Sequence, residues 1–200
     1  MVVSGNRDTP GFARLERFHP SLDVGNEVAA AHAASRRRSY AVVLSTVTPR
    51  NSSPPYAEDP SLTTLEFKWH DQCGRETPAG EAVAKRKIVE AARALDEAIS
   101  SLSDGERVLV HCAWGQNRSN AICVAWACLF RKWTPQAAVA YAKAACCDQR
   151  RYANPRPLHN DVFVNILMTL VPATDGRLAP PSSGLTAWMK RKAPDDDPAS

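Results

Sequence analysis

Cys112 is the residue whose setting most suggests chemistry. Residues 108–119 read V-L-V-H-C-A-W-G-Q-N-R-S. Three β-formers lead to His111 and Cys112, a short loop containing Gly115 follows, and then come Arg118 and Ser119. From Asn120 the pattern turns helical and apolar. A buried strand, a tight loop and a helix start hold an anion well, because the first N–H groups of the helix have no partner of their own. Only a thiolate attacks, and a helix N-terminus, a ring of amides and a nearby arginine all favour that form of a thiol. The same donors match three oxygens of a phosphoryl group. The planar fork of Arg118 suits two of them at once, Gly115 lets the backbone curl, and the Ser119 hydroxyl is near enough in sequence to reach the sulfur. The parts imply covalent phosphoryl transfer through a cysteinyl-phosphate. A cysteine and an arginine at this spacing would, by themselves, also fit a buried thiol in an ordinary β–α turn.

The flanking sequence must position this loop. Residues 13–18 alternate as a half-buried strand does, and a short helix is expected over 27–34. Residues 40–47 (Y-A-V-V-L-S-T-V) form a near-continuous apolar run, as a central parallel strand does. A proline-rich loop, 48–63, leads to a strand over 65–69 that delivers His70 and Asp71 at its end. Ala84, Ile88, Ala91, Leu95, Ile99 and Leu102 recur at three- and four-residue steps, which predicts an amphipathic helix over 78–102. Asp96 and Glu97 read as solvated charges on it. The helix 118–133 is apolar on nearly all sides, so it should be buried. Thr134 and Pro135 open another helix, to about Cys147. Val162, Phe163, Ile166, Leu167 and Leu170 mark a last one.

H-C-A-W-G-Q-N-R-S resembles the H-C-x5-R-S/T signature of the cysteine-dependent protein tyrosine phosphatases, and the compact spacing is most similar to their dual-specificity branch. The stretch 18–26, ending in Gly25-Asn26, resembles the opening hairpin of that branch. R-P-L-H-N-D-V-F is similar to its closing Arg, Pro-Asn and Phe pattern. The resemblance covers about residues 12–171. It implies an α/β fold in which a central, mostly parallel sheet of about five strands is flanked by helices. It also implies roles. Cys112 is the nucleophile. Ala113, Trp114, Gly115, Gln116, Asn117 and Arg118 bind the phosphate through loop amides and the guanidinium. Ser119 eases loss of the thiolate, and His111 supports the loop. In the family an aspartate after the strand preceding the long helix protonates the leaving oxygen, worth about 10² to 10⁴ in rate. Asp71 takes that place here; Glu76, or no residue, is the alternative. Trp114 is unusual in such a loop and is expected at the pocket rim.

Length and composition agree with one domain and two tails. A lead of 1–11 and a proline-rich tail of 172–200, with K-R-K and D-D-D runs, flank the 12–171 unit. A 44% hydrophobic content supports a core. The net charge of +4 fits an anionic substrate but is too small to argue for nucleic acid. Six cysteines without paired spacing or a histidine pair argue against zinc, and no other metal or cofactor is implied. A reduced, cytoplasmic or nuclear chain is the expectation. The opening residues do not read as a signal peptide, and the longest apolar run is too short to cross a bilayer. The expected partner is a phosphorylated protein; oligomeric state is left open.

Two other functions stay in view. G-Q-N-R-S is similar to the Gly-x-Asn-Arg-Thr of the family's RNA 5′-triphosphatases, with Arg150, Arg151 and Arg156 as a basic segment. A catalytically weak, phosphoprotein-binding domain is the other. Arg36, Arg37 and Arg38 read as a solvated loop or a patch for acidic partners. Cys73 is a chance thiol or a resolving partner for an oxidised Cys112.

Overall fold

The computed structural model describes residues 12–33, 40–47, 59–69, 77–150 and 157–171. In chain order its elements are β1 (Phe12–Arg14), β2 (Leu22–Gly25), α1 (Glu27–Ala33), β3 (Tyr40–Ser45), β4 (Thr63–Glu66), α2 (Pro78–Ser100), β5 (Arg107–His111), α3 (Arg118–Phe130), α4 (Pro135–Arg150) and α5 (Asp161–Met168). The five strands form one sheet in the order β1-β2-β5-β3-β4. All neighbours are parallel except β1 and β2, which are antiparallel. This is the mostly parallel α/β sheet that the sequence led us to expect.

The period-2 geometry of the strands sorts their side chains onto two faces. Leu22, Val24, Val42, Leu44, Val108 and Val110 pack with apolar residues of α2, α3, α4 and α5 in the main core. Tyr40, Val43 and Leu109 face the other way and join Ala30 and Ala33 of α1. Strand β5 lies between β2 and β3 and is covered on both faces, which is why it reads as an unbroken apolar run. Every residue of α3 from Ser119 to Leu129 is buried, so this helix is the centre of the helical layer.

Across the middle three strands runs a polar strap. The Asp23 carboxylate on β2 is fully buried and pairs with Arg107 of β5 at 2.7 Å and 3.2 Å. The Tyr40 hydroxyl of β3 donates to the same carboxylate at 2.6 Å, and Arg107 also reaches the Pro20 carbonyl. Hydrogen bonding to Asp23 raises the Arg107 pKa and outweighs its partial desolvation.

Several boundaries differ from the sequence expectation. Strand β4 starts at Thr63, two residues early, and stops at Glu66, because β3 ends at Ser45 and offers no further ladder partner. Phe67 makes the last bond, to the Ser45 carbonyl, and Trp69 then lies in the core outside any strand. Helix α3 stops at Phe130. Lys132 takes a left-handed conformation (φ 57°), and the Trp133 N–H turns back to the Ala127 carbonyl. Asp96 is not simply a solvated charge: it accepts the indole N–H of Trp126 at 2.9 Å. Residues 1–11, 34–39, 48–58, 70–76, 151–156 and 172–200 lie outside the described residues, and with them the expected lead and tail, the Arg36–Arg37–Arg38 cluster and the basic Arg151 and Arg156.

Candidate active site

Register brings the C-terminal ends of β2, β5 and β3 together, with Gly25 and Ser45 both opposite His111. Asn26, Cys112 and Thr46 follow at that edge. In an open parallel sheet this is the end at which ligands bind. Thr46 holds it closed, its N–H and hydroxyl both donating to the His111 carbonyl at 3.1 Å and 3.2 Å.

From here the chain makes its loop. Cys112 is 2% exposed, and its sulfur bonds within the loop. Sγ accepts the Gly115 N–H at 3.1 Å and lies 3.3 Å from the Ser119 hydroxyl oxygen. Gly115 adopts φ 66°, a conformation that disfavours any side chain. The loop carbonyls are turned outward and find donors there. Ala113 O accepts from Glu27 N–H at 3.4 Å, whereas Asn117 O opens the ladder of α3 by accepting from Ala121 N–H at 2.8 Å. Gly115 O and Gln116 O both accept from the Asn120 side chain, at 2.9 Å and 3.0 Å, and Gln116 O also from Leu158 N–H. A trans peptide sets its N–H opposite its carbonyl. With these carbonyls directed out, the N–H groups of Trp114, Gln116 and Asn117 face the other way, toward the inside of the curl.

Arg118 starts α3. Its Nη1 donates to the Thr46 carbonyl at 2.7 Å and to the Trp69 carbonyl at 2.8 Å. The guanidinium thus links the loop to the end of β3 and to the segment just before Asp71. Asp71 itself, His70, Cys73 and Glu76 lie outside the described residues. Ser119 is fully buried, whereas Trp114 is 40% exposed, the only exposed side chain between 111 and 120.

His111 is fully buried, and burial pushes its imidazole down to about 3; a hydrogen bond to the Cys112 backbone opposes this and the charge of Arg118 adds to it. It is neutral at any physiological pH. Burial pushes Cys128, well away from the loop in α3, up to about 11, so that thiol stays protonated.

The back of the loop rests on a second turn, 157–160. Asn117 Oδ1 accepts the N–H groups of His159 and Asn160 at 3.0 Å and 3.2 Å, which orients its amide. Its Nδ2 therefore donates to His159 Nε2 at 3.1 Å, and the ring must carry its proton on Nδ1. Asn160 caps α5 through the Val162 N–H. Sequence reasoning missed Asn120, Thr46 and His159 as supports of the site. For Asn120 a signal was present: a carboxamide inside an otherwise apolar helix must find partners when buried. Among the described residues no group of three His, Cys, Asp or Glu side chains is placed to hold a metal ion, and no helix is long and apolar enough to cross a membrane.

No family model matches this sequence, nor does any curated protein. Solved structures do match the fold. A mouse protein assigned to the dual specificity phosphatases, complexed with zinc tungstate, is 24% identical with a TM-score of 0.57, over 84% of this chain and 90% of that one. OH1 of the Orf virus, a tyrosine phosphatase with triple substrate specificity, is 18% identical with a TM-score of 0.53, over 81% and 90%. A human tyrosine phosphatase-like serine/threonine/tyrosine-interacting protein is 18% identical with a TM-score of 0.52, over 78% and 93%. The likeness is one of architecture: this chain shares the fold of these phosphatase structures.

Proposed function

We propose that the chain is a phosphatase that hydrolyses phosphotyrosine and phosphoserine or phosphothreonine in proteins through a cysteinyl-phosphate intermediate. The observation that supports it most is the Cys112 sulfur, held between the Gly115 N–H and the Ser119 hydroxyl in a loop whose carbonyls are turned outward. In this reading Cys112 attacks phosphorus in line. Loop amides and the Arg118 fork take the equatorial oxygens. Asp71 protonates the departing oxygen, then deprotonates the water that attacks the phosphocysteine. The Ser119 hydroxyl donates to the sulfur as it leaves. Neutral His111 supports the loop from below. The catalytic unit is residues 12–171, flanked by the lead and the tail, and the reducing cytoplasm or nucleus keeps the thiol active.

The test is phosphate release from phosphotyrosine and phosphothreonine peptides in the presence of a chelator, with triphosphate-ended RNA as a parallel substrate. Turnover of both peptides, lost in Cys112→Ser, is expected. Full activity in Cys112→Ser would overturn the mechanism, and release from RNA alone would replace the substrate class.

A further inference from the structure

We propose that Asn120 is the positioning residue of the anion-binding loop, acting with the Cys146 thiol of α4 behind it. The inference rests on reading the loop as the phosphate seat. Asn120 lies in the first turn of α3 and is fully buried. Its Nδ2 donates to two successive loop carbonyls, Gly115 O at 2.9 Å and Gln116 O at 3.0 Å. Carbonyls only accept, so the amide has one orientation. Oδ1 is thereby turned to Cys146, whose thiol donates to it at 3.1 Å. Cys146 is itself buried, at 1% exposure. A chain of hydrogen bonds thus runs from α4 through α3 into the loop.

The consequence is electrostatic. A loop binds an anion only while its N–H groups face in and its carbonyls face out. The two peptides that Asn120 holds, 115–116 and 116–117, are next to Gly115, the residue most able to rotate. A flip of either would swing a carbonyl oxygen toward the bound anion in place of an N–H. Asn120 opposes this by giving each carbonyl a donor on the outer side. It touches no substrate and reaches the reaction only through the geometry of the loop. A carboxamide is costly among Ala121, Ile122 and their neighbours unless paired, and here both its ends are paired.

The test compares wild type, Asn120→Ala, Cys146→Ser and Cys146→Ala. Alkylation of Cys112 by anionic iodoacetate and by neutral iodoacetamide is followed by peptide-resolved mass spectrometry, with and without inorganic phosphate, beside a thermal melt. The wild type should react faster with iodoacetate and be protected by phosphate. In Asn120→Ala the iodoacetate preference and the phosphate affinity should fall about 10- to 100-fold, the scale of losing one hydrogen bond to a charged group. Its iodoacetamide rate should hold within about 3-fold, since the Gly115 N–H and Ser119 hydroxyl that hold the sulfur lie outside the two peptides Asn120 secures. Cys146→Ser keeps a donor and should behave as wild type, while Cys146→Ala should lose about 3-fold in the same ratio, the scale of one neutral hydrogen bond. If Asn120→Ala does not melt cooperatively, the Ser and Ala pair at Cys146 decides by that ratio. Asn120→Ala and Cys146→Ala proteins that keep the wild-type ratio and phosphate affinity overturn the role of Asn120. A wild type without iodoacetate preference or phosphate protection instead overturns the reading of the loop as a phosphate seat.

Discussion

His111→Asn should flatten the acid sensitivity of folding. The folded imidazole titrates near 3, against an ordinary 6.5, because it is fully buried. Between those values the unfolded chain binds a proton that the folded chain refuses, so stability falls as pH drops through 6.5. Above 6.5 the contribution is present in full; below about 3 both states are protonated and no further loss follows. Within the window the slope is about 1.4 kcal/mol per pH unit. From neutral pH down to 5 the wild type should therefore lose about 2 kcal/mol through this one residue. The variant is expected to be less stable at neutral pH, but that offset cancels when each protein is compared with itself. Urea unfolding at pH 7.5 and pH 5, at matched ionic strength, gives both differences, with the five tryptophans as the probe. Parallel losses in wild type and variant would show that the imidazole is not held neutral by burial. The same reasoning excludes His111 from the pH–rate profile: neutral throughout pH 5 to 8, it contributes no ionisation to either limb.

Ser119→Ala removes the hydroxyl 3.3 Å from the sulfur. A hydrogen bond to a charged group is worth about 1.5–3 kcal/mol, so breakdown of the phosphocysteine should slow roughly 10- to 100-fold. Rapid quench should then show a phosphate-labelled enzyme and a burst; an unchanged steady state without a burst would sink this role. Arg107→Ala takes from the buried Asp23 carboxylate the guanidinium that grips both its oxygens and leaves the Tyr40 hydroxyl beside it. Because Arg107 is itself 20% exposed, the loss should lie near the low end for broken buried pairs, about 3 kcal/mol by urea unfolding. A loss under about 1 kcal/mol would mean that the pair is effectively solvated. Trp114→Ala should leave stability within about 0.5 kcal/mol, since the indole is 40% exposed. If the indole rims the pocket, KM for aryl phosphates should rise about 3- to 10-fold over that for alkyl phosphates, the scale of an aromatic contact; equal KM changes would place the ring outside the pocket.

What the sequence determined by itself is short in range. The strand 107–111, the left-handed glycine and the serine beside the sulfur all fall within thirteen residues, and contacts that local leave few other ways to fold. The buried helix α3 and the amphipathic α2 were legible too, because burial leaves a periodic record in residue type. The bounds of β4 were not, since they depend on where its neighbour β3 ends. Nor was the insertion of β5 between β2 and β3, which no local pattern encodes. Only the tertiary structure set Arg118 against Thr46 and Trp69, Asn120 against Cys146, and Asn117 against His159. Asn120 and Cys146 are 26 residues apart, and Arg118 is 72 from Thr46. A side chain can announce that it needs a partner once buried, but the partner is chosen by how sheet and helices pack, which is a property of the whole chain.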